Sequence, residues 1–359
     1  MSPAPAAPAD LIVAGAGMGG LCAAAEACAL GAEPLVLEAA ARPGGSMLLS
    51  SGVVWRHRAW DDFRAECPEG DPVLQRLVFE HLDDDLAWLR GLGAQVVEEE
   101  TGNVQTTGMR FDTRSLTEAL TAAAGEVRYE ERLTELPGRP LVLATGGFQG
   151  DQELVREHVT PEAEHLVLRS APHSRGDGLR LGLEAGARTS AGLDQIYGRN
   201  LPAPPATIGE GHLVSAAQLY ARRAEVRNSR GERFESRTWS EIDVVQWTAR
   251  QPSARAWFRV PASRLGERVR DRTVGDMVDT AERLGAPVTR EEDSVTVETV
   301  AGITSTLGGL AVGPDAEAAP GVCACGGDVG GIATGGYASG LAAALVLGRI
   351  AARSALGIG

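Results

Sequence analysis

The sequence predicts an α/β fold in which a parallel-sheet domain carries a smaller, inserted α+β domain. Three observations lead to this prediction. Short apolar runs and helical segments alternate at the start of the chain, as in a doubly wound sheet. A glycine-rich turn follows the first of these runs. Between residues 193 and 300 the composition changes, since Pro202, Pro204 and Pro205 mark a boundary and aromatic residues gather after it.

The first elements are a buried strand over residues 11–14, a G-x-G-x-x-G turn and an alanine-rich helix over residues 21–30. A second apolar run, residues 35–37, ends in Glu38, whose carboxylate is placed to bind an adenosine ribose. In this βαβ setting the turn indicates dinucleotide binding, with the pyrophosphate at the helix N-terminus. The expected nucleotide contacts are Gly15, Gly17, Gly19, Gly20, Glu38 and Ala39.

The loop after Glu38 favours FAD over NAD. It holds a second glycine pair, and such a loop lets the backbone run along FAD towards the flavin. We expect cofactor contacts from Arg42, Gly44, Gly45 and Ser46. Ser51 and Gly52 follow directly and are candidates for a position beneath the flavin, with an ordinary turn as the alternative.

The next elements complete the first domain. Helical spacing predicts helices over residues 72–92 and 113–124, and apolar runs predict strands over residues 95–97 and 126–131. A further strand over residues 141–143 runs into a small-residue turn, where Ala144, Thr145 and Gly146 are expected to lie against the dinucleotide. Asp177 opens a helix through residue 183 and is either its N-cap or a cofactor contact.

The chain as a whole divides into three parts. Residues 1–9 resemble a disordered tail, residues 10–192 and 301–359 form the cofactor-binding domain, and residues 193–300 form a substrate or cap domain. The last part returns to small residues and ends in a helix over residues 341–354.

Composition excludes several classes of function. The net charge of -14 and the pI near 5.0 argue against nucleic acid and anionic membrane surfaces. All 34 basic residues are arginines, which excludes a lysine Schiff base and a P-loop lysine. No signal peptide or membrane span is indicated, so a cytoplasmic protein is expected. The five cysteines form no C-x-x-C, and neither a metal site nor a disulfide reductase is indicated.

Several motifs together resemble those of the flavoprotein family of fumarate reductase and succinate dehydrogenase, which includes the 3-ketosteroid dehydrogenases. Besides the N-terminal fingerprint and the loop at 44–46, they are Ala144-Thr145-Gly146-Gly147-Phe148, Gly176-Asp177-Gly178, Asn228 with Gly231, Arg233 and Phe234, Thr306-Leu307-Gly308-Gly309, and residues 321–349.

The resemblance implies a Rossmann-type, glutathione-reductase-like FAD-binding domain with a small α+β cap over the flavin. It also implies that Gly327 and Asp328 lie at the flavin's ribityl region. The backbone at Gly340, Leu341 and Ala342 would put a helix N-terminus near flavin N1 and O2.

The departures from the family pattern disfavour fumarate reduction. Arg237 stands where fumarate reductases have a proton-relaying Glu, and Ser305 stands where they have a substrate-binding His. The family's C-terminal His-Gly-x-Asn-Arg is absent from residues 332–340, so no anion clamp is apparent.

Residues 337–340 instead look similar to the C-terminal motif of ketosteroid dehydrogenases. This resemblance places Tyr337, Ser339 and Gly340 at a substrate carbonyl, where the Tyr337 hydroxyl and the Gly340 amide would stabilise an enolate-like oxygen. Packing of Tyr337 in a domain interface is the alternative.

The predicted reaction is dehydrogenation, or the reverse ene-reduction, next to a carbonyl in a neutral cyclic, polyketide-like or steroid-like substrate. Hydride passes to flavin N5, and a base removes the proton. Tyr220 and Tyr197 are the candidate bases if their pKa falls below about 10; Arg222 or Arg223 would help Tyr220, and His57 and His173 are weaker candidates.

Other functions remain open. The electron acceptor is unassigned among oxygen, a quinone and a carrier protein. The alternatives to this reaction are an amine-oxidase-like or desaturase-like flavoenzyme, a flavin mono-oxygenase, a fumarate-reductase-like dicarboxylate enzyme, and a non-catalytic flavin-binding protein.

Overall fold

Within residues 9–358, the part of the chain that this computed structural model describes, four β-sheets and nine α-helices are present. The predicted tail at residues 1–9 lies, except for Ala9, outside that part. The helices are α1 (Met18–Ala29), α2 (Trp60–Glu66), α3 (Pro72–Gly91), α4 (Thr113–Ala123), α5 (Gln152–His158), α6 (Asp177–Glu184), α7 (Ile242–Ala249), α8 (Val274–Arg283) and α9 (Gly340–Ala355).

The strands alternate with these helices. They are β1 (Leu11–Ala14), β2 (Pro34–Glu38), β3 (Val53–His57), β4 (Val96–Glu98), β5 (Thr106–Phe111), β6 (Glu126–Tyr129), β7 (Leu141–Leu143), β8 (Val167–Leu168), β9 (Ile196–Pro202), β10 (Glu225–Arg227), β11 (Arg233–Phe234), β12 (Arg255–Pro261), β13 (Arg268–Val269), β14 (Arg272–Thr273), β15 (Val288–Arg290), β16 (Ser294–Thr306), β17 (Glu317–Ala319) and β18 (Val322–Ala324).

The first sheet confirms the predicted doubly wound class. Its order is β17-β18-β7-β1-β2-β6, and all neighbours except β17 and β18 run parallel. Every residue of β1 and β7 is buried, as expected for strands covered on both faces. Ile12 pairs with both Leu35 and Leu141, so the carboxyl ends of β1, β2 and β7 meet at one edge. The turns that follow those strands therefore lie together.

Helices α1 and α9 pack against each other beside this sheet. Small residues dominate α1, and a Cβ on Gly348 of α9 would lie 2.5 Å from the carbonyl oxygen of Gly19. The two backbones therefore cross in close contact. Helix α1 begins three residues earlier than predicted, because Gly17 rather than Gly20 forms its N-cap.

The second sheet is built around the long strand β16. Its order is β11-β10-β12-β16-β15, and β8 and β9 also pair with β16. One of its cores holds Tyr220 and Phe258 together with valines and the apolar face of α8. Because β8 lies before residue 193 and β16 ends after residue 300, the sheet extends past both predicted boundaries, and the division into domains stays a prediction.

Two smaller sheets complete the fold. Strands β3, β5 and β4 form an antiparallel sheet, and β13 and β14 form a short hairpin. The three-stranded sheet is relevant to the site below because β3 presents Trp55 and His57, two residues apart, on the same side.

Candidate active site

The fingerprint turn forms the first wall of a nucleotide cradle. A Cβ on Gly20 would overlap the carbonyl oxygen of Gly15, and a Cβ on Gly19 would lie 2.9 Å from Cys325 Sγ. Gly15 has a φ of +104°, which favours glycine. A Cβ on Gly17, in contrast, would meet no atom within 4 Å. The other glycines serve packing, and Gly17 presents open backbone at the α1 N-terminus.

Glu38, the residue expected to bind the ribose, and the second glycine pair, Gly44 and Gly45, lie beside this turn. The buried carboxylate of Glu38 accepts hydrogen bonds from the amides of Ala16 at 2.6 Å and Ala40 at 2.7 Å. The Gly44 amide donates to the Ala16 carbonyl at 2.7 Å, and a Cβ on Gly45 would lie 3.5 Å from Gly17 Cα. The glycine loop thus follows the fingerprint turn, and Ala39 lies half-buried next to Glu38.

Asp328 joins two turns at the carboxyl edge of the sheet. Its buried carboxylate accepts hydrogen bonds from the Thr145 amide, the Thr145 hydroxyl at 3.0 Å and the Gly147 amide at 3.2 Å. Burial raises the pKa of Asp328 to about 6, although the hydrogen bonds from Thr145 and Gly147 oppose this. A Cβ on Gly327 would lie 2.8 Å from the Gly146 carbonyl carbon, so these turns require small residues.

The N-terminus of α9 supplies a further wall. Ser339 is its N-cap, and the hydroxyl accepts from the Ala342 amide at 3.2 Å. Gly340 and Leu341 are the first two helical residues, so their amides have no intrahelical partner. This places two free donors at the positive end of a 16-residue helix.

These walls fit FAD. A buried acid ends β2, an open glycine backbone begins α1, and a second helix N-terminus offers free amides at the other end of the cradle. The structure brings most of the expected cofactor residues together around these turns, namely Gly15, Gly17, Gly19, Gly20, Glu38, Gly44, Gly45, Ala144, Thr145, Gly146, Gly327 and Asp328. Leu341 and Ala342 lie in the first turn of α9.

Other expected cofactor residues are engaged elsewhere. Arg42 is exposed and pairs with Glu210 at 3.1 Å. Ser51 is exposed, and Gly52 lies so close to Phe111 that a Cβ would overlap its carbonyl oxygen. Asp177 does not cap α6, because Gly176 holds the N-cap position and the Asp177 carboxylate pairs with Arg132. The capping interpretation of Asp177 is therefore wrong.

A cluster of aromatic side chains lies next to the α9 N-terminus; we call Tyr197, Tyr337, Trp55 and Trp239 the aromatic cluster. The rings of Tyr197 and Tyr337 are stacked with centroids 5.0 Å apart, and their hydroxyl oxygens are 3.4 Å apart. The centroids of Trp55 and Trp239 lie 5.2 and 5.8 Å from that of Tyr337. Both tyrosines are half-buried, so they remain accessible.

His57 and Glu66 support this cluster from the first domain. The His57 ring lies with Nε2 3.3 Å from the Tyr337 carbonyl oxygen, and burial lowers the pKa of His57, which keeps the ring neutral at pH 7. Glu66 accepts a hydrogen bond from the Ser240 hydroxyl at 2.9 Å, next to Trp239. The His57 ring also packs edge-on against Trp55, with centroids 5.3 Å apart.

Two buried arginines adjoin the tyrosines. Arg199 has its guanidinium carbon 5.2 Å from the Tyr197 centroid and 5.1 Å from the Tyr337 centroid. Arg169 is buried nearby and bonds Thr304 and Leu213. No anion clamp was apparent from the C-terminal motif, and these two arginines come instead from β9 and from the segment after β8. Sequence reasoning missed both arginines, although Arg199 follows Tyr197 by two residues on β9 and so shares its face.

The arginines separate the two tyrosines chemically. Burial alone would raise the pKa of Tyr197, but the charges of Arg199 and Arg169 and the hydrogen bond from Tyr337 together lower it to about 8. Burial and the neighbouring Tyr197 instead raise the pKa of Tyr337. The pair thus holds one tyrosine that ionises readily and one that stays protonated.

Tyr220, the other candidate base, lies outside this site. Its side chain is fully buried against Phe258, with ring centroids 5.7 Å apart, and burial raises the pKa of Tyr220. Arg223 pairs with Glu267 at 3.0 Å, and His173 is exposed. Tyr220 therefore belongs to the core of the second sheet, and of the two candidate tyrosines only Tyr197 lies beside Tyr337.

The aromatic cluster adjoins the cofactor cradle. The Ala171 amide, two residues after Arg169, donates to Ser46 Oγ at 3.0 Å, which ties this segment to the glycine loop. Tyr337 precedes Gly340 by three residues. The aromatic cluster therefore lies beside the segment that contacts the glycine loop and directly before the start of α9.

Comparison with protein families gives two matches. The family described as FAD binding domain matches residues 125–341, more than half of the chain. The family described as NAD(P)-binding Rossmann-like domain matches residues 13–59. The search of curated proteins found no match.

Solved structures with the same fold include three enzymes. A flavocytochrome c3 fumarate reductase in an open conformation is 19% identical, with a TM-score of 0.72 over 99% of this chain and 79% of that one. The 3-ketosteroid-Δ4-(5α)-dehydrogenase of Rhodococcus jostii RHA1, bound to 4-androstene-3,17-dione, is 18% identical, with a TM-score of 0.72 over 99% and 98%. The 3-ketosteroid Δ1-dehydrogenase of Sterolibacterium denitrificans, bound to 1,4-androstadiene-3,17-dione, is 16% identical, with a TM-score of 0.70 over 98% and 100%.

Within the described residues, no helix has the length and apolar character needed to cross a membrane. The fingerprint turn, Glu38 and the glycine loop lie within the matched residues 13–59, and Asp328 and the start of α9 lie within the matched residues 125–341. The chain therefore belongs to the FAD-binding family of the fumarate reductase and succinate dehydrogenase flavoproteins, and it is an FAD-dependent oxidoreductase.

Proposed function

We propose that this oxidoreductase removes hydrogen from a carbon–carbon bond next to a carbonyl, or adds hydrogen in the reverse direction, in a substrate with an apolar ring. The observation that carries the proposal is the pair of stacked tyrosines with opposite pKa shifts beside the α9 N-terminus. Paired groups whose environments separate their pKa values identify the acid and the base of a reaction.

Tyr337 and the start of α9 would polarise the substrate carbonyl. Tyr337 keeps its proton at neutral pH because its pKa is raised, so the hydroxyl can donate a hydrogen bond. The Gly340 amide supplies a second donor at the positive helix end. Two donors aimed at an oxygen that gains negative charge stabilise the enolate-like transition state and acidify the neighbouring C–H bond.

Tyr197 would remove the proton from that carbon. Its pKa of about 8 gives a useful phenolate fraction near neutral pH, whereas an ordinary tyrosine has little. When bound, FAD supplies hydride transfer at N5. In the free enzyme the Tyr337 hydroxyl donates to Tyr197 and favours its phenolate. When substrate is bound, that single O–H turns to the carbonyl, and the charges of Arg199 and Arg169 continue to lower the pKa of Tyr197.

The tryptophans define the shape of the substrate. Trp55 is buried and Trp239 is half-buried, and both face Tyr337 at angles between 55° and 57°. Flat aromatic walls bind rings well and exclude water, which strengthens the hydrogen bonds to the carbonyl. These walls support a cyclic substrate over an open-chain polar one.

The test is an anaerobic absorption spectrum of the holoenzyme during titration with cyclic ketones. We expect a saturated ketone to bleach the flavin band, or an enone to reoxidise flavin that dithionite has reduced. Tyr197→Phe should slow either reaction about 100-fold or more, as loss of a general base does. Tyr129→Phe, at an exposed tyrosine of β6, is the matched control. Unchanged rates in Tyr197→Phe would remove its role as the base, and a flavin that responds to no carbonyl compound would remove the proposed reaction.

A further inference from the structure

We propose that the substrate carries a single anionic group, of carboxylate type, that binds between Arg169 and Arg199 at the edge of the aromatic cluster. This inference rests on the proposed function, because it concerns the same site. It adds a specificity determinant that the reaction itself does not need, since carbonyl polarisation and proton removal are performed by the two tyrosines.

Arg169 is held in place by neutral groups only. Its guanidinium donates to the Thr304 hydroxyl at 2.6 Å and to the Leu213 carbonyl at 2.8 Å. Its Nε is buried and has no hydrogen-bond partner among the described residues. A buried donor without a partner is costly, so this N–H marks a position where an acceptor from outside the chain would be stabilised.

Arg199 is equally short of negative charge. It is buried on β9 and donates to the Ser240 carbonyl. Within residues 9–358 no carboxylate lies within 4.0 Å of either arginine's nitrogen atoms, although most surface arginines do have such a partner. Glu241 attracts Arg199 from a greater distance, and its own oxygens accept from the amides of Ala221 and Arg222.

Two buried cations side by side repel each other and lose hydration. Buried charges in proteins are normally paired, because the loss of hydration exceeds what neutral hydrogen bonds return. The Tyr197 phenolate can balance one of the two charges. Glu241 acts on Arg199 only from beyond 4.0 Å, so neither guanidinium has a carboxylate in direct contact among the described residues, and a substrate anion would provide one.

Guanidinium groups bind carboxylates with two parallel hydrogen bonds, and the unpartnered Nε of Arg169 is a donor of this kind. The rings of Trp55 and Trp239 also face Tyr337, and Arg270 acts on the two tyrosines through its charge without a hydrogen bond to either. The expected ligand is therefore a ring-bearing monocarboxylate, distinct from a dicarboxylate and from a neutral polycyclic ketone.

The test measures binding to the oxidised holoenzyme without turnover, by perturbation of the flavin spectrum and by tryptophan fluorescence. The probes are cyclohexanecarboxylate, its neutral isostere cyclohexanecarboxamide, and succinate. We expect the carboxylate to bind at least about 30-fold more tightly than the carboxamide, as a buried charge pair implies. Succinate should bind weakly, because one of its carboxylates would face the aromatic walls.

The variants Arg169→Met and Arg199→Met should each remove most of this preference, while Arg250→Met, at a surface arginine, should keep it. If a methionine variant does not retain flavin, Arg169→Lys or Arg199→Lys is used in its place. Each lysine variant should weaken carboxylate binding, because an ammonium group cannot form the two parallel hydrogen bonds of a guanidinium. Carboxamide binding should stay unchanged. Equal binding of carboxylate and carboxamide to the native enzyme would overturn the proposal, and so would succinate as the tightest ligand. Carboxylate binding in an enzyme that oxidises no ketone would instead refute only the proposed reaction.

Discussion

At the residue scale, the proposed chemistry uses one residue type in two environments. Tyr197 and Tyr337 are stacked, and the positions of Arg199 and Arg169 decide which of them ionises. If the Tyr197 phenolate is the base, its protonated form is inactive. The rate of flavin reduction should then rise with pH through about 8 and level off above it.

Stopped-flow measurement of flavin reduction between pH 6 and 10 gives this profile. Tyr197→Phe should lose the rise at about 8 and keep the lower, pH-independent rate. Arg199→Met should move the rise to higher pH, because a nearby positive charge no longer stabilises the phenolate. A flat profile in the native enzyme, or an unshifted one in Arg199→Met, would contradict the assignment.

Two glycines of the fingerprint turn permit an equally sharp comparison. Gly17→Ala introduces a methyl group that meets no protein atom within 4 Å, at a φ of -79° that alanine adopts freely. Its stability without cofactor should match the native protein within about 0.5 kcal/mol. FAD affinity should fall, because the methyl group occupies the path of the pyrophosphate.

Gly20→Ala, in contrast, should lower the stability of the protein itself. Its methyl group would overlap the Gly15 carbonyl oxygen, so the free energy of unfolding should drop by about 1–3 kcal/mol with or without cofactor. Thermal melting of cofactor-stripped protein and FAD retention on gel filtration separate the two cases. Tight FAD binding by Gly17→Ala would show that the pyrophosphate does not pass this residue.

At the element scale, Ser339 serves α9 as an N-cap, and this accounts for its place in the C-terminal motif. Ser339→Ala should cost about 1 kcal/mol of stability and loosen the turn that presents the Gly340 amide. Thr273→Ala removes the N-cap of α8, far from the cradle, at similar cost. We therefore expect equal melting shifts but a larger loss of turnover in Ser339→Ala, and recovery of both in Ser339→Asn.

Equal turnover in Ser339→Ala and Thr273→Ala would show that the start of α9 only stabilises the fold. A loss of turnover in Ser339→Asn, despite a native melting temperature, would instead show that the serine hydroxyl itself contacts the substrate.

The helices and strands were largely predictable from the sequence, because each depends on the local spacing of apolar residues and on the residues that end the element. The helices at 72–92 and 113–124 are found as α3 and α4 with ends shifted by one residue. The active site was less predictable, since it joins strand β9, the segment after β8 and the loop before α9. Arg169 reaches Tyr197 only through the pairing of β8 and β9 with β16, a long-range arrangement that no local pattern encodes.

Tyr220 is a residue that local sequence wrongly suggested for the site. Its sequence neighbours Arg222 and Arg223 suggested an activated phenol, but the fold turns the ring into the core of the second sheet. Whether an aromatic side chain faces a site or a core depends on which sheet covers it, and that is a tertiary property.

At the scale of the whole molecule, a buried ionic network joins α9, near the end of the chain, to α1 and α3. Arg349 of α9 pairs with Glu26 of α1 at 2.8 Å and with Asp85 of α3, and their side chains are 15%, 4% and 9% exposed. The network fixes α9, whose N-terminus closes the cofactor cradle, to the helix that begins at the fingerprint turn. Arg353 pairs with the other oxygen of Glu26.

Arg349→Met should therefore destabilise the protein and release FAD more easily. Removing one partner of a buried pair costs about 3–5 kcal/mol, and the value should fall near the lower end because Arg353 still balances Glu26. The control Arg90→Met breaks a pair whose side chains are 48% and 62% exposed, and it should cost less than about 1 kcal/mol. Thermal melting of both variants measures the contrast.

The pH dependence of the stability lost in Arg349→Met tests whether the unpaired Asp85 carboxylate causes that loss. Burial raises the pKa of Asp85 even with Arg349 present, and loss of Arg349 should raise it further. A carboxyl with a raised folded-state pKa stabilises the fold most when both states are protonated and loses that contribution as pH rises through the folded-state value. The loss of unfolding free energy in Arg349→Met, relative to the native protein, should therefore be smaller at acidic than at neutral pH. A deficit that stays constant across this range would mean that lost packing against Trp88, rather than an unpaired Asp85, causes the instability.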